Sequence, residues 1–255
     1  MTDPRDIVHR PAPEGFTTRY GGDADQVIEW FPPDGPATAT VVFLHGGFWR
    51  AQWDRAHVRP LCHALTAAGY VVASVEYRRT GGGGGYPATF DDVAAGIGAV
   101  AAEVARGHAP GPIVLSGHSA GGQLALWAAR PGLVPALDGR LAGVAALAPV
   151  SDLERCHTLD LDDGAVDALL GGGPADNPAG YADADPIRHE PPTRVALVHG
   201  TQDQRVPVDM SRHYAARYGA RLHELPGIEH FGLIDPLSTA WPAVEASITF
   251  VLTGA

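Results

Sequence analysis

The run Ile113-Val114-Leu115-Ser116-Gly117-His118-Ser119-Ala120-Gly121-Gly122 carries an apolar β segment directly into G-x-S-x-G, and strong helix formers, Leu124-Ala125-Leu126-Trp127-Ala128-Ala129, follow at once. A serine lifted off a strand end by so tight a turn holds a strained backbone, so the residues two before and two after it must be small. Gly117 and Gly121 meet that demand, which makes Ser119 the expected nucleophile on a strand-turn-helix elbow. A turn that merely happened to contain serine would need neither the strand before it nor the helix after it.

Around the elbow, β and α signals alternate. Phe16 to Tyr20 and Gln26 to Phe31 read as an antiparallel opening hairpin. Buried strands are expected at Thr40 to Leu44, Tyr70 to Val75, Ile113 to Ser116, Gly143 to Leu147 and Arg194 to Val198, with a last strand at Arg221 to Leu225. Helices are expected at Arg55 to Ala68, Ala88 to Ala105, directly after Ser119, at Val208 to Tyr218 and at Pro236 to Leu252. The repeated β-then-α order with fully apolar strands predicts an α/β fold: a mostly parallel central sheet, helices on both faces, and ligands at the C-terminal strand ends. A length of 255 residues without a long linker suits a single domain, 1–255. Within it, the Asp-, Gly- and Pro-rich segment 151–192 is too long for a plain connection and is expected to form a small cap over the site. Gly81 to Gly85 reads as a mobile surface loop.

Charge and composition remove several functional classes. All 18 basic residues are arginine, which excludes Schiff-base chemistry, pyridoxal phosphate attachment and Ser-Lys dyads. A net charge of −11 argues against nucleic acid and anionic membranes as partners. Gly117 and Gly122 have phosphate-loop spacing, but Gln123-Leu124 stands where Lys-Ser/Thr is required. Zinc-type His/Cys spacing is missing as well, so neither a metal nor a cofactor is expected. The polar start Met1-Thr2-Asp3-Pro4-Arg5-Asp6 and the lack of any window of transmembrane length lead to an expected cytoplasmic location, with Cys62 and Cys156 as free thiols.

Activating a serine hydroxyl near neutral pH takes a general base, and the base takes an orienting carboxylate. Downstream of Ser119, the strand Val195-Ala196-Leu197-Val198 runs into His199-Gly200-Thr201-Gln202-Asp203, which puts Asp203 in a loop just past a strand end. Asp203 is therefore the expected acid, ahead of Asp152, Asp209 and Asp235. After the last strand, Pro226-Gly227-Ile228-Glu229-His230-Phe231-Gly232 supplies His230 as the expected base, while His199 and His223 read as structural. An oxyanion needs preorganised backbone donors. Ala120 follows the nucleophile, and His45-Gly46-Gly47-Phe48-Trp49 follows the first parallel strand, so Gly46, Gly47, Phe48 and Ala120 are the candidate donors. Phe48 and Trp49 are expected to wall the substrate pocket, with core packing as the alternative for Trp49.

Taken together, His45-Gly46-Gly47-Phe48-Trp49, Glu76-Tyr77-Arg78, Gly117-His118-Ser119-Ala120-Gly121-Gly122, Asp203 and His230 resemble the α/β-hydrolase superfamily, in particular its small carboxylesterase and kynurenine formamidase (arylformamidase) branch, over about residues 38 to 252. The resemblance implies an α/β-hydrolase fold with Ser119, Asp203 and His230 as triad and the Gly46-Gly47-Phe48 loop plus Ala120 as oxyanion hole. It also implies a small-molecule acyl substrate, a carboxylic ester or an aryl formamide, cleaved through an acyl-enzyme. Two other readings of the same fold stay open at this point: a biosynthetic thioesterase, cyclase or acyltransferase, and a non-catalytic binding protein.

Overall fold

The apolar segments that alternate along the chain assemble into one eight-stranded sheet. The computed structural model describes residues 4–191 and 193–255; residues 1–3 of the polar start and Pro192, the expected end of the 151–192 segment, lie outside it. In chain order the strands are β1 (Phe16–Arg19), β2 (Val27–Phe31), β3 (Thr40–Leu44), β4 (Val71–Val75), β5 (Ile113–His118), β6 (Leu141–Leu147), β7 (Arg194–Gly200) and β8 (Arg221–Leu225). Their order across the sheet is β1-β2-β4-β3-β5-β6-β7-β8. β1 and β2 pair antiparallel, β2 joins β4 antiparallel, and every pairing from β4 to β8 is parallel.

Successive side chains on the parallel strands point to opposite faces, and both faces are buried, so each strand feeds two cores. Val42 and Leu44 of β3, Ile113 and Leu115 of β5, and Val195 and Leu197 of β7 belong to one core. Their neighbours Val41, Phe43, Val114, Ala196 and Val198 belong to the other. Helices α2 (Ala88–Ala105), α3 (Ala120–Ala128) and α7 (Val208–Tyr218) cover the first face; α1 (Arg59–Ala67) and α8 (Trp241–Thr253) cover the second.

Several boundaries differ from the sequence expectation for local reasons. The expected helix from Arg55 opens as a 3-10 turn, Arg55–Val58, and becomes α-helical at Arg59, where Pro60, which has no N–H to leave unpaired, suits the first turn. The closing helix starts at Trp241 rather than Pro236, because Asp235 holds a turn by accepting the Leu237 N–H at 2.9 Å. β7 runs on through His199 and Gly200, which pair with Glu224 and Leu225 of β8. The 151–192 segment forms three short helices, α4 (Leu153–Thr158), α5 (Ala165–Leu170) and α6 (Pro178–Ala184), followed by a 3-10 turn. Val166, Leu169, Tyr181 and Ala184 of this segment join the first core, so it is packed rather than ornamental. The glycine run is also less free than expected. Gly84 donates to the Arg79 carbonyl, Gly85 donates to Thr89 Oγ1 at 2.9 Å, and a Cβ on Gly84 would sit 2.3 Å from the Arg78 carbonyl oxygen.

Candidate active site

At the C-terminal end of β5, Ser119 adopts φ 57° and ψ −119°, a backbone that non-glycine residues reach only when their surroundings enforce it. Here the enforcement is visible. Ser119 N–H donates to the Leu147 carbonyl at 2.8 Å, and its own carbonyl accepts from Gln123 and Val150. A Cβ on Gly117 would meet the Gly121 carbonyl oxygen at 2.3 Å, and one on Gly121 would meet the Leu44 carbonyl oxygen at 2.0 Å. Both glycines are therefore required by backbone crossing, as the spacing implied.

Asp203 and His230 lie on loops after β7 and β8. His230 Nδ1 donates to Asp203 Oδ2 at 2.6 Å, since a carboxylate can only accept. The other oxygen, Oδ1, accepts the backbone N–H groups of Arg205 and Val206 at 2.8 and 2.9 Å. His199, buried at the end of β7, brings Nε2 within 3.3 Å of Oδ2 while bonding the Val206 carbonyl, so it backs the Asp203 carboxylate from the core side. Burial alone would raise the pKa of Asp203, but the hydrogen bonds from His199 and His230 outweigh it and hold the carboxyl well below the usual carboxylate range. Asp203 is thus ionised throughout the working pH range. The competing carboxylates have other partners: Asp152 caps α4 by accepting the Arg155 N–H, Asp209 pairs with Arg212, and Asp235 pairs with Arg10.

The loop after β3 holds three consecutive residues in the left-handed region, Gly47 (φ 112°), Phe48 (φ 47°) and Trp49 (φ 56°). Left-handed φ at a bulky residue costs on the order of 1–3 kcal/mol and persists only where neighbours over-determine it. Buried His45 is one anchor: its Nε2 contacts Glu76 Oε1 at 2.8 Å, its ring stacks on Tyr77 at 4.5 Å, and Tyr77 Oη donates to its carbonyl. Glu76 also takes the Arg55 N–H and pairs with Arg79; burial disfavours its charge, but His45, Arg79 and Arg55 together hold its pKa down at about 2. Among the described residues, the N–H groups of Gly47, Phe48 and Ala120 donate to no carbonyl or side chain. Gly46 packs against the elbow, its would-be Cβ 3.0 Å from the His118 carbonyl oxygen.

One expectation is corrected here. Trp49 does not wall the pocket beside Phe48: the left-handed turn sends it into the core, 1% exposed, where Nε1 donates to Gln123 Oε1 at 3.1 Å. Gln123 in turn donates to the Ala184 carbonyl of the 151–192 segment at 2.9 Å. Trp53, not singled out from the sequence, takes the wall position, together with His57. Arg50, just past the loop, reaches into the same segment, Nε to Asp162 Oδ2 at 2.7 Å.

Ser119, His230, Gly47 and Phe48 open on one pocket of about 430 Å³, whose rim includes Asp6, His9, Gln52, Asp162 and Arg205. The rim is polar, and residues 6–9 reach it from a 3-10 helix held by the Arg10–Asp235 pair, 2.6 Å apart. A second cavity, about 290 Å³ under Phe16 and Trp30, lies away from these groups. Among the described residues no cluster of His, Cys, Asp and Glu could hold a metal ion, and no helix is long and apolar enough to cross a membrane.

The parallel sheet, the strained serine at the end of β5 and the flanking helices define an α/β-hydrolase fold. Residues 30–218 match the model of the BD-FAE family, and the chain belongs to that family of α/β-hydrolase esterases. It is 27% identical over 212 residues to Esterase LipQ of Mycobacterium tuberculosis; the match covers 77% of this chain and about half the length of that relative. A truncated carbohydrate esterase from gut microbiota superposes with a TM-score of 0.75 at 20% identity, covering 94% of this chain and 97% of that one. The thermophilic esterase Est2 of Thermogutta terrifontis, with propionate bound, gives 0.71 at 24% identity, covering 94% of each chain. The same esterase has been seen phosphoramylated by tabun.

Proposed function

We propose that the chain is a serine hydrolase that cleaves a carboxylic ester with a small acyl group through an acyl-enzyme. The observation that carries this reading is the 2.6 Å contact between His230 Nδ1 and Asp203 Oδ2 on the wall of the pocket that Ser119 enters from its strained elbow. In this mechanism the carboxylate keeps the His230 proton on Nδ1, leaving Nε2 to take the Ser119 proton as the hydroxyl oxygen attacks the ester carbonyl. The unpaired N–H groups of Gly47, Phe48 and Ala120 receive the oxyanion. Collapse of the tetrahedral intermediate expels the alcohol, protonated by His230, and water repeats the sequence on the acyl-serine.

Phe48 and Trp53 on the wall favour an aromatic leaving group, which keeps an aryl formamide as a second substrate under the same chemistry. The 151–192 segment acts as the cap: Asp162, in the turn between α4 and α5, lines the rim. A cytoplasmic location fits the two unpaired, buried cysteines, Cys62 and Cys156. The direct experiment is active-site labelling. A fluorophosphonate probe should modify Ser119 stoichiometrically, and Ser119→Ala should lose both the label and turnover at unchanged melting temperature; a labelled or active Ala variant refutes the mechanism.

A further inference from the structure

His118 lies between Gly117 and the nucleophile and is fully buried in the wall of the pocket. Its Nε2 is 3.1 Å from the backbone carbonyl oxygen of His230, across 112 residues of sequence. A carbonyl oxygen can only accept, so Nε2 carries the proton and donates. The other ring nitrogen, Nδ1, is packed against Gly46, 3.1 Å from where a Cβ there would stand. The two rings are 4.4 Å apart and tilted by 47°. His57, His118 and His230 line the same pocket as Ser119, with Asp203 behind the last. Burial first, and then the neighbouring His230 and His57, hold His118 far below its ordinary pKa of 6.5, so it stays neutral. His57 is pushed down to about 4 by burial and by His45, with Nδ1 committed to the Asp54 carbonyl. Neither ring opposes a positive charge arising on His230.

The hydrogen bond joins the elbow to the loop that carries the base. That loop is also tied to the strand end after β7, where Asp203 accepts the His230 Nδ1–H at 2.6 Å and the Ile228 carbonyl accepts from Gln202 at 3.0 Å, and within the loop Glu229 accepts the Phe231 N–H at 3.0 Å. We propose that His118 is a positioning residue for the reaction: by donating Nε2–H to the His230 carbonyl it fixes the base relative to Ser119. The inference rests on the hydrolase reading above.

The test is a comparison of side chains that differ in reach. Gln at 118 can present an amide N–H near the position of Nε2, Asn cannot reach it, and Phe keeps the ring but has no donor. With a short aryl ester, H118N and H118F should lower kcat by about 10- to 100-fold, the scale of a displacement near 1 Å at a reacting centre, with KM within about threefold. Fluorophosphonate labelling of Ser119 should slow in proportion. H118Q should stay within about threefold of the natural protein in both assays. Melting temperatures of all variants separate loss of position from loss of fold, and if H118F fails to fold, the H118Q and H118N pair decides alone. Equal rates for H118N and H118Q, or a fall in melting temperature that accounts for the lost activity, overturn the proposal. Failure of the natural protein to label at Ser119 instead overturns the hydrolase reading beneath it.

Discussion

Replacing Asp203 by Asn changes one atom's role and should nearly abolish turnover. The amide oxygen is drawn to the Arg205 and Val206 N–H groups that Oδ1 now accepts at 2.8 and 2.9 Å. That orientation aims the amide N–H₂ at His230 Nδ1, which must then accept, moving the ring proton to Nε2, where it blocks transfer from Ser119. Turning the amide over restores the useful tautomer but leaves the part-buried Val206 N–H without its acceptor at about 1–3 kcal/mol, while the exposed Arg205 N–H can turn to water. The wrong tautomer therefore dominates by roughly 1–3 kcal/mol, which is about 5- to 150-fold at 1.4 kcal/mol per decade. Loss of the charge-assisted bond to the imidazolium contributes a further ~1.5–3 kcal/mol. Together these lower kcat by about 10²- to 10⁴-fold, with KM little changed because neither effect touches bound ester in the ground state. Steady-state hydrolysis of p-nitrophenyl acetate by both proteins, with the melting temperature as a folding control, measures this directly. An Asn variant within tenfold of the natural kcat would show that Asp203 does not orient the base, whereas Asp152→Asn should stay within that range because Asp152 caps a helix.

Other outcomes can be stated more briefly. Asp185 is fully buried; burial, aided by Asp152, raises its pKa to about 7 from the usual 3.8 despite the N–H of Leu153, so the folded chain keeps a proton that the unfolded chain loses above pH 4. Stability then falls as pH rises from about 4 to 7, by up to about 4 kcal/mol, and Asp185→Asn should gain that amount over the natural protein between urea unfolding at pH 4 and at pH 8; a pH-independent difference refutes it. Gly121→Ala, with its Cβ driven against the Leu44 carbonyl, should lower the melting temperature by about 8 °C or more in calorimetry, while Gly22→Ala, with open space around it, should move it by less than about 2 °C. Acetyl esters should be cleaved in preference to octanoyl esters, since a misfitting methylene costs ~1–3 kcal/mol in a tight pocket; rates that climb steadily with acyl length would contradict the small acyl site.

Much of the site was legible because its parts answer to local backbone rules. The elbow needs Gly117 and Gly121 where two main chains cross, so spacing alone marks Ser119. Likewise, Asp203 and His230 follow strand ends that the apolar pattern located within a residue or two. What stayed hidden depends on torsions and on distant partners. Whether Trp49 or Trp53 reaches the pocket turns on positive φ at Phe48 and Trp49, and nothing in either tryptophan's neighbours signals that. The tie from Gln123 to Ala184 spans 61 residues, and that from His118 to His230 spans 112, so neither leaves a periodic trace. The glycine run misled for the opposite reason: its composition suggests freedom, but Gly84 and Gly85 are where the chain presses closest to Arg78 and Thr89.

The short helix that brings Asp6, Val8 and His9 to the pocket has a practical side. Anything fused ahead of it leaves from the rim of this pocket, on a segment seated by the Arg10–Asp235 clasp and by Ile7 in the second core. The other end of the chain is placed differently: Gly254 abuts Arg194, where β7 begins, at the opposite end of the parallel strands from Ser119, Asp203 and His230. A purification handle, a surface linker or a fluorescent reporter therefore belongs after Ala255, and kinetics measured with an amino-terminal handle would describe an obstructed door.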